Sequence, residues 1–198
     1  MPHGSISPSP SITEQWGRVA AWLRANLSSV TLNGAEPADL TRTIEAIGGT
    51  WPAELSTLFT HINGFAREHW VRLLPLHDLF DLDRLVREYR VELEVWGDVD
   101  ADMVPHAPLA GDTAGTYLRQ FVPFAGEDGN LLFVDTRPGP LHGCVSEFDK
   151  VSADGGPRWA SLSAMFADLA DSLETGAVFD QYWAPSVEQG ELCWEFEP

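Results

Sequence analysis

Gln120–Phe148 reads QFVPFAGEDGNLLFVDTRPGPLHGCVSEF, a pattern of three short strands joined by two tight turns. Phe121–Ala125 is the first apolar run. Glu127-Asp128-Gly129-Asn130 follows, and Asp, Gly and Asn tolerate the left-handed backbone that a hairpin turn needs. Leu131–Val134 is apolar at every position, as in a strand covered on both faces. Arg137-Pro138-Gly139-Pro140 turns the chain again. Gly143–Phe148 then alternates, with Cys144, Ser146 and Phe148 on one face and Val145 and Glu147 on the other. The stretch is the core of a sheet and carries no catalytic signature.

Helical patterns surround it. Ser11-Ile12-Thr13-Glu14 is a capping box, and Ile12, Trp16, Ala20, Leu23 and Leu27 follow at helical spacing to about Ser28. Asn33-Gly34 is a turn. Pro37 suits the first turn of a second helix with Leu40, Ile44 and Ile47 inward, stopped by Gly48-Gly49. Trp51-Pro52 starts a third, with Leu55, Leu58, Phe59 and Ile62 inward, closed by Asn63-Gly64. Trp70–Leu76 predicts a strand ended by Pro75. A fourth helix places Leu82, Leu85, Val86, Tyr89, Leu93 and Trp96 on one face, although Val91–Val95 also alternates as a strand would. The region 97–118 predicts a long surface loop with a short strand near Tyr117. Asp154-Gly155-Gly156-Pro157 predicts a break before a last helix, whose stripe is Leu162, Met165, Phe166, Leu169 and Leu173. Together these predict one α+β domain over residues 11–176, with helices against a mostly antiparallel sheet. Residues 1–10 read as a flexible Ser/Pro tail. Residues 177–198 read as an acidic, aromatic extension, too apolar to be wholly free.

Composition narrows the function classes. The chain has 198 residues, 44% of them hydrophobic, with eight Trp and ten Phe, enough for a substantial core. No apolar run reaches the roughly 18 residues of a membrane span, and the N-terminal residues lack the pattern of a secretory signal, so a cytoplasmic protein is expected. Cys144 and Cys193 form no metal-ligand spacing; free thiols are the favoured reading, with a disulfide between them left open. Thirty acids face twelve bases, for a net charge of −18, and Lys150 is the single lysine. Such a surface repels nucleic acid and anionic lipid and attracts a basic protein.

Searches for chemistry come out negative. Asp98, Asp100 and Asp102 alternate like the start of a calcium loop, but the sixth position is Met103 and the twelfth Leu109, where Gly and Glu are needed. His142 and Cys144 share a predicted strand face without a third ligand or an orienting carboxylate. His69 and His77 flank the predicted strand and are expected in solvent. No phosphate-binding loop, nucleophile elbow or HExxH spacing is present, and no cofactor is implied.

The order of elements is informative where single motifs are not. A Trp-bearing helix is followed by Asn33-Gly34-Ala35, a helix ending in Gly-Gly, and Trp51-Pro52-Ala53-Glu54-Leu55 closing in Ile62-Asn63-Gly64. Then come Phe121–Ala125, Gly129-Asn130, Phe133-Val134-Asp135, Arg137–Pro140, Gly143-Cys144-Val145, Trp159-Ala160-Ser161-Leu162 and Leu173-Glu174-Thr175-Gly176. This ordered set resembles the SUKH superfamily in its Smi/Knr-type branch over roughly residues 12–176, with Trp51-Pro52 where the family usually has Leu-Pro. The resemblance implies an α+β fold and a non-catalytic binding role. Many bacterial members are immunity proteins that neutralise polymorphic toxins, often nucleases, and fungal relatives are regulators of cell-wall synthesis. A bacterial immunity protein binding a basic toxin domain is the leading expectation. A scaffold or regulatory binding module without a toxin is the alternative, and an enzyme built around His142 the third reading. The loop acids Asp98, Asp100, Asp102, Asp112, Glu127 and Asp128 are the expected partner-binding residues, because loops on a rigid scaffold carry recognition.

Overall fold

The computed structural model describes residues 11–48, 51–97 and 109–198. Helix α1 spans Ile12–Asn26 and begins as the capping box requires: Ser11 Oγ accepts from the Glu14 N–H at 3.3 Å, and Glu14 Oε2 accepts from the Ser11 N–H at 2.7 Å. Helix α2 spans Pro37–Ile47 and α3 spans Ala53–His61. Strand β1 is only Asp78–Leu79 and leads into α4, Leu82–Trp96, whose N-cap Asp81 accepts from the Arg84 N–H at 2.6 Å. The stretch 120–148 becomes β2 (Phe121–Glu127), β3 (Asn130–Asp135) and the start of β4 (Val145–Asp149). Strand β5 (Ala153–Trp159) and helix α5 (Leu162–Thr175) follow, then a hairpin of β6 (Trp183–Glu188) and β7 (Glu191–Phe196).

Strands β1 to β5 form one antiparallel sheet in chain order, and β6–β7 form a second. Between β2 and β3, Glu127 pairs with Asn130 and the two residues between them turn with φ of 53° at Asp128 and 81° at Gly129. Two positive-φ residues match the right-handed twist of the flanking strands. Leu131–Asp135 is buried throughout, so the sheet is covered on both faces as its apolar run predicts. On one face α4 sets Trp96 edge-on to Phe148 at 5.3 Å and Tyr89 against Tyr117 at 6.5 Å. On the other, Val134 shares a cleft with Leu55 of α3 and Leu162 of α5, and Trp16 of α1 meets Phe166 of α5 at 5.8 Å. The result is an α+β fold, as its patterning predicts.

Several local expectations are corrected. Trp70–Leu76 is irregular, and the strand lies later, at Asp78–Leu79. The Leu73 N–H bonds the Val71 carbonyl at 2.9 Å, a two-residue loop-back that an extended strand cannot make, while Val71, Leu73 and Leu74 are still buried. Asp154–Pro157 does not break the chain but lies inside β5. Register shifts against β4 and a φ of 85° at Gly156 absorb the glycines as irregularities of the strand. Val91–Val95 stays helical within α4. No strand forms near Tyr117; the side chain is wholly buried in an irregular loop, where its hydroxyl donates to the Phe121 carbonyl at 2.9 Å. On α2 the buried residue is Thr43, with Leu40, Ile44 and Ile47 half-buried.

The C-terminal extension is docked on the domain. The Ser28 N–H bonds the Gly190 carbonyl at 3.1 Å, Trp194 Nε1 donates to the Arg72 carbonyl at 3.0 Å, and Phe179 stacks on Trp159 at 5.5 Å. Leu192 of β7 is buried in the core.

Candidate partner-binding surface

The nominated acids do not form one patch. Asp98, Asp100 and Asp102 lie outside the described residues. Asp112 stands near the Phe121 end of the sheet: the neighbouring Gly111 N–H bonds Asp135 Oδ2 at 2.9 Å, and Asp135 pairs with Phe121. Glu127 and Asp128 are at the opposite end of β2. A seven-residue strand at about 3.3 Å per residue separates the two groups by about 20 Å. Their charges also differ in availability. Glu127 is held by Arg72, with Nη1 2.9 Å from Oε2. Asp128 is exposed, and Lys150 Nζ takes its backbone carbonyl rather than its carboxylate. Asp112 is exposed, and its carboxylate accepts only from the Leu109 N–H, at 3.3 Å, among the described residues.

What positions Asp112 is a clamp of buried charges that sequence reasoning missed. Asp135 and Arg137 form an ion pair at 2.7 Å, with side chains 1% and 5% exposed. Arg137 Nη2 also donates to the Asp112 carbonyl at 2.6 Å, and its guanidinium lies 5.1 Å from the Phe121 ring. Asp154 accepts the N–H groups of Ala114 and Gly115 at 2.8–3.0 Å from a site only 4% exposed. Two strand-end aspartates therefore replace the hydrogen bonds that the irregular segment 109–116 cannot make to itself. The visible signal was an acid ending a fully apolar strand with an Arg two residues on; their partners in the loop leave no local trace.

A second polar cluster ties the C-terminal extension to the sheet. Arg158 bridges Glu147 and Asp180, His77 Nε2 sits 3.1 Å from Glu147 Oε1, and Asp168 accepts from Trp159 Nε1 at 3.1 Å. His77 is thus buried rather than in solvent. Burial pushes the Glu147 carboxyl up, but His77, with its Nε2 3.1 Å away, and the charge of Arg158 outweigh it and hold the group below its usual range. Asp180 goes the other way, because burial outweighs the same Arg158.

His142 and Cys144 do not share a strand face. They lie in the connection before β4; His142 is exposed, with its Nδ1 2.9 Å from the Arg137 carbonyl, and Cys144 is fully buried. Burial pushes the Cys144 thiol up to about 11. His142 lines a cleft of about 380 Å³ with Glu54, Leu55, Val134, Ser161 and Leu162. The Glu54 carboxylate there is already taken by Ser163, whose Oγ and N–H donate at 2.6 and 3.2 Å. A wider groove of about 850 Å³ runs between α2 and α4, where Arg42, Arg87 and Arg90 alternate with Asp39, Asp83 and Glu94. Among the described residues no cluster of three or more His, Cys, Asp or Glu has the arrangement of a metal site, and no helix is long and apolar enough to cross a membrane. Both cysteines are free thiols.

No family model matches the chain, and no curated protein matches it.

Proposed function

We propose that this chain is a non-catalytic immunity protein that binds and neutralises a basic toxin domain in the cytoplasm of the cell that makes it. The observation that carries the reading is how the charge is disposed. Seven of the arginines, at positions 18, 42, 72, 84, 87, 137 and 158, are engaged in ion pairs within the molecule. Exposed carboxylates at Asp112, Asp128, Glu188, Glu191, Glu195 and Glu197 have no ion-pair partner among the described residues. Seven of the twelve bases are thus paired within the molecule while these acids face outward, and the net −18 is left to be met by a partner. A toxin that grips phosphate needs a basic cleft, and an acidic surface raises the rate of association with it and disfavours wrong partners. The resemblance of the element order to the SUKH superfamily points the same way.

The test is retrieval of partners by the tagged full chain from its own cells, in low and in high salt, with identification by mass spectrometry. Stoichiometric recovery of one basic toxin domain, weakened by salt, supports the reading. Recovery of resident cytoplasmic proteins alone transfers it to a regulatory binding module.

A further inference from the structure

The two strands of the C-terminal hairpin have unlike outer edges. Gln189 and Gly190 form its two-residue turn, with φ of 53° and 83°. The Glu197 N–H bonds the Tyr182 carbonyl at 2.7 Å, and that pair sets the phase of the ladder: the opposed residues that bond each other are 184 with 195, 186 with 193 and 188 with 191. The residues between them turn their backbone groups outward. On β6 these are Trp183, Pro185 and Val187. Trp183 already exchanges both its bonds with Phe179, at 2.7 and 3.0 Å, and Pro185 has no N–H to give. On β7 they are Leu192, Trp194 and Phe196, and no described residue bonds the backbone N–H or C=O of any of the three. β7 also has no proline and no register shift against β6. Its edge is open where Glu195 and Phe196 are exposed. At the other end Leu192, itself buried, lines a cleft of about 350 Å³ with Arg67, His69 and Arg72.

The side chains of β7 divide by face. Glu191, Cys193 and Glu195 stand on one side, and Leu192, Trp194 and Phe196 on the other. Glu191, Glu195 and Glu197 are exposed and have no ion-pair partner among the described residues. A second copy of β7 paired antiparallel to the first, centred on Cys193 or on Trp194, sets Glu191 opposite Glu195 or opposite Glu197. Like charges directly opposed destabilise a ladder. The edge is therefore closed to its own copy and open to a strand that brings bases to those positions.

We propose that β7 is extended, antiparallel, by a strand of a protein partner that sets basic residues opposite Glu195 and Glu197 and apolar residues opposite Trp194 and Phe196. The proposal rests on the basic-partner reading above and moves the interface from the loop acids to the edge of the C-terminal hairpin. The main chain gives the affinity, through the outward N–H and C=O groups, and the alternating side chains give the selectivity. Each base makes an opposite-charge pair across the new ladder. Arg67 and His69 stand at the Leu192 end, so the residue opposite Glu191 is neutral.

The probe is the capped peptide Arg-Val-Arg-Val-Ser-Val-Thr, titrated into the ¹⁵N-labelled full chain in 20 mM and 500 mM salt. The expected result is saturable binding in which the Trp194 and Phe196 amides gain protection from hydrogen exchange, while those of Cys193 and Glu195, already bonded to β6, do not. N-methylation of the middle valine, which faces Trp194, should weaken binding about 10-fold. N-methylation of the serine, whose N–H points away from β7, should not. Phe196→Pro removes an outward N–H that β6 does not use, and should bind about 5-fold more weakly than Phe196→Ala; unchanged melting temperatures verify that both keep the fold. Glu195→Gln with Glu197→Gln should weaken binding only at the lower salt. Equal effects of the two N-methyl groups, or shifts centred on Asp112, Glu127 or Asp128, overturn strand addition, as does no binding at 20 mM salt. Retrieval of a basic domain from cells by the Phe196→Pro chain as well as by the parent overturns it too and leaves the basic-partner reading standing.

Discussion

Arg137→Met should destabilise the protein by about 3–5 kcal/mol, because it leaves a buried carboxylate without its cation. The Asp135 side chain is 1% exposed and loses contacts to Arg137 Nε and Nη2 at 2.7–3.2 Å. Among the described residues it keeps only the N–H groups of Gly111 at 2.9 Å and of residue 137 at 3.0 Å. The Asp112 carbonyl loses its donor too. Against a total stability of about 5–15 kcal/mol, this is a large fraction. Urea unfolding followed by tryptophan fluorescence is the assay; with a slope of ~2 kcal/mol per molar, the midpoint should fall by about 2 M. Asp135→Asn combined with Arg137→Met removes the orphaned charge while keeping an acceptor for Gly111, and should recover at least half of the loss. A single-variant midpoint within about 0.5 M of the parent would refute the claim that the pair is desolvated and clamps the 109–116 segment.

Acid sensitivity should trace in part to Glu147. Its folded-state pKa lies below the unfolded 4.5, so its contribution is present above about pH 4.5 and is lost as pH falls through the folded value. Glu147→Gln should therefore give a shallower loss of stability below pH 4.5 in chemical denaturation. Asp180, held above 3.8 by burial, gains stability as it protonates, so Asp180→Asn should steepen the acid loss. Cys144, buried with its thiol pushed up to about 11, should resist a thiol reagent at neutral pH until the protein unfolds, while half-buried Cys193 reacts first; mass-mapped labelling with and without urea checks the order. Gly34→Ala should cost about 2 kcal/mol, because a Cβ there overlaps the Thr60 carbonyl where the Asn33–Ala35 turn crosses the end of α3; thermal melting reads the loss.

What was legible in the sequence was local. Ser11 and Glu14 announce α1, and the apolar β3 with its Asp-Gly turn announces the centre of the sheet, because both signals are carried by residues a few positions apart. Trp70–Leu76 misleads because burial on both sides of an irregular segment looks like burial of a strand. Gly155-Gly156-Pro157 misleads because turn residues also serve inside an irregular strand. The clamp at Asp135, Arg137 and Asp154 depends on contacts across 24 to 40 positions, which no periodicity encodes. The same holds for His77, just before β1, whose partner Glu147 lies on β4 with β2 and β3 between them in the sheet. The hairpin was visible only as an aromatic, acidic composition; pairing Trp183 with Phe196 turned that composition into a face.

The two rims of the five-stranded sheet have a consequence for association. One rim is β1, with just two residues, and the other is β5, kinked at Gly156 and lacking an N–H at Pro157. Neither offers the run of free backbone donors and acceptors that an incoming strand needs as a template. The large sheet is therefore closed to growth by strand addition, both in crowded cells and in concentrated solution. Any specific complex on those rims has to be assembled from side chains, so its selectivity can be rewritten one residue at a time without disturbing the sheet that supports it.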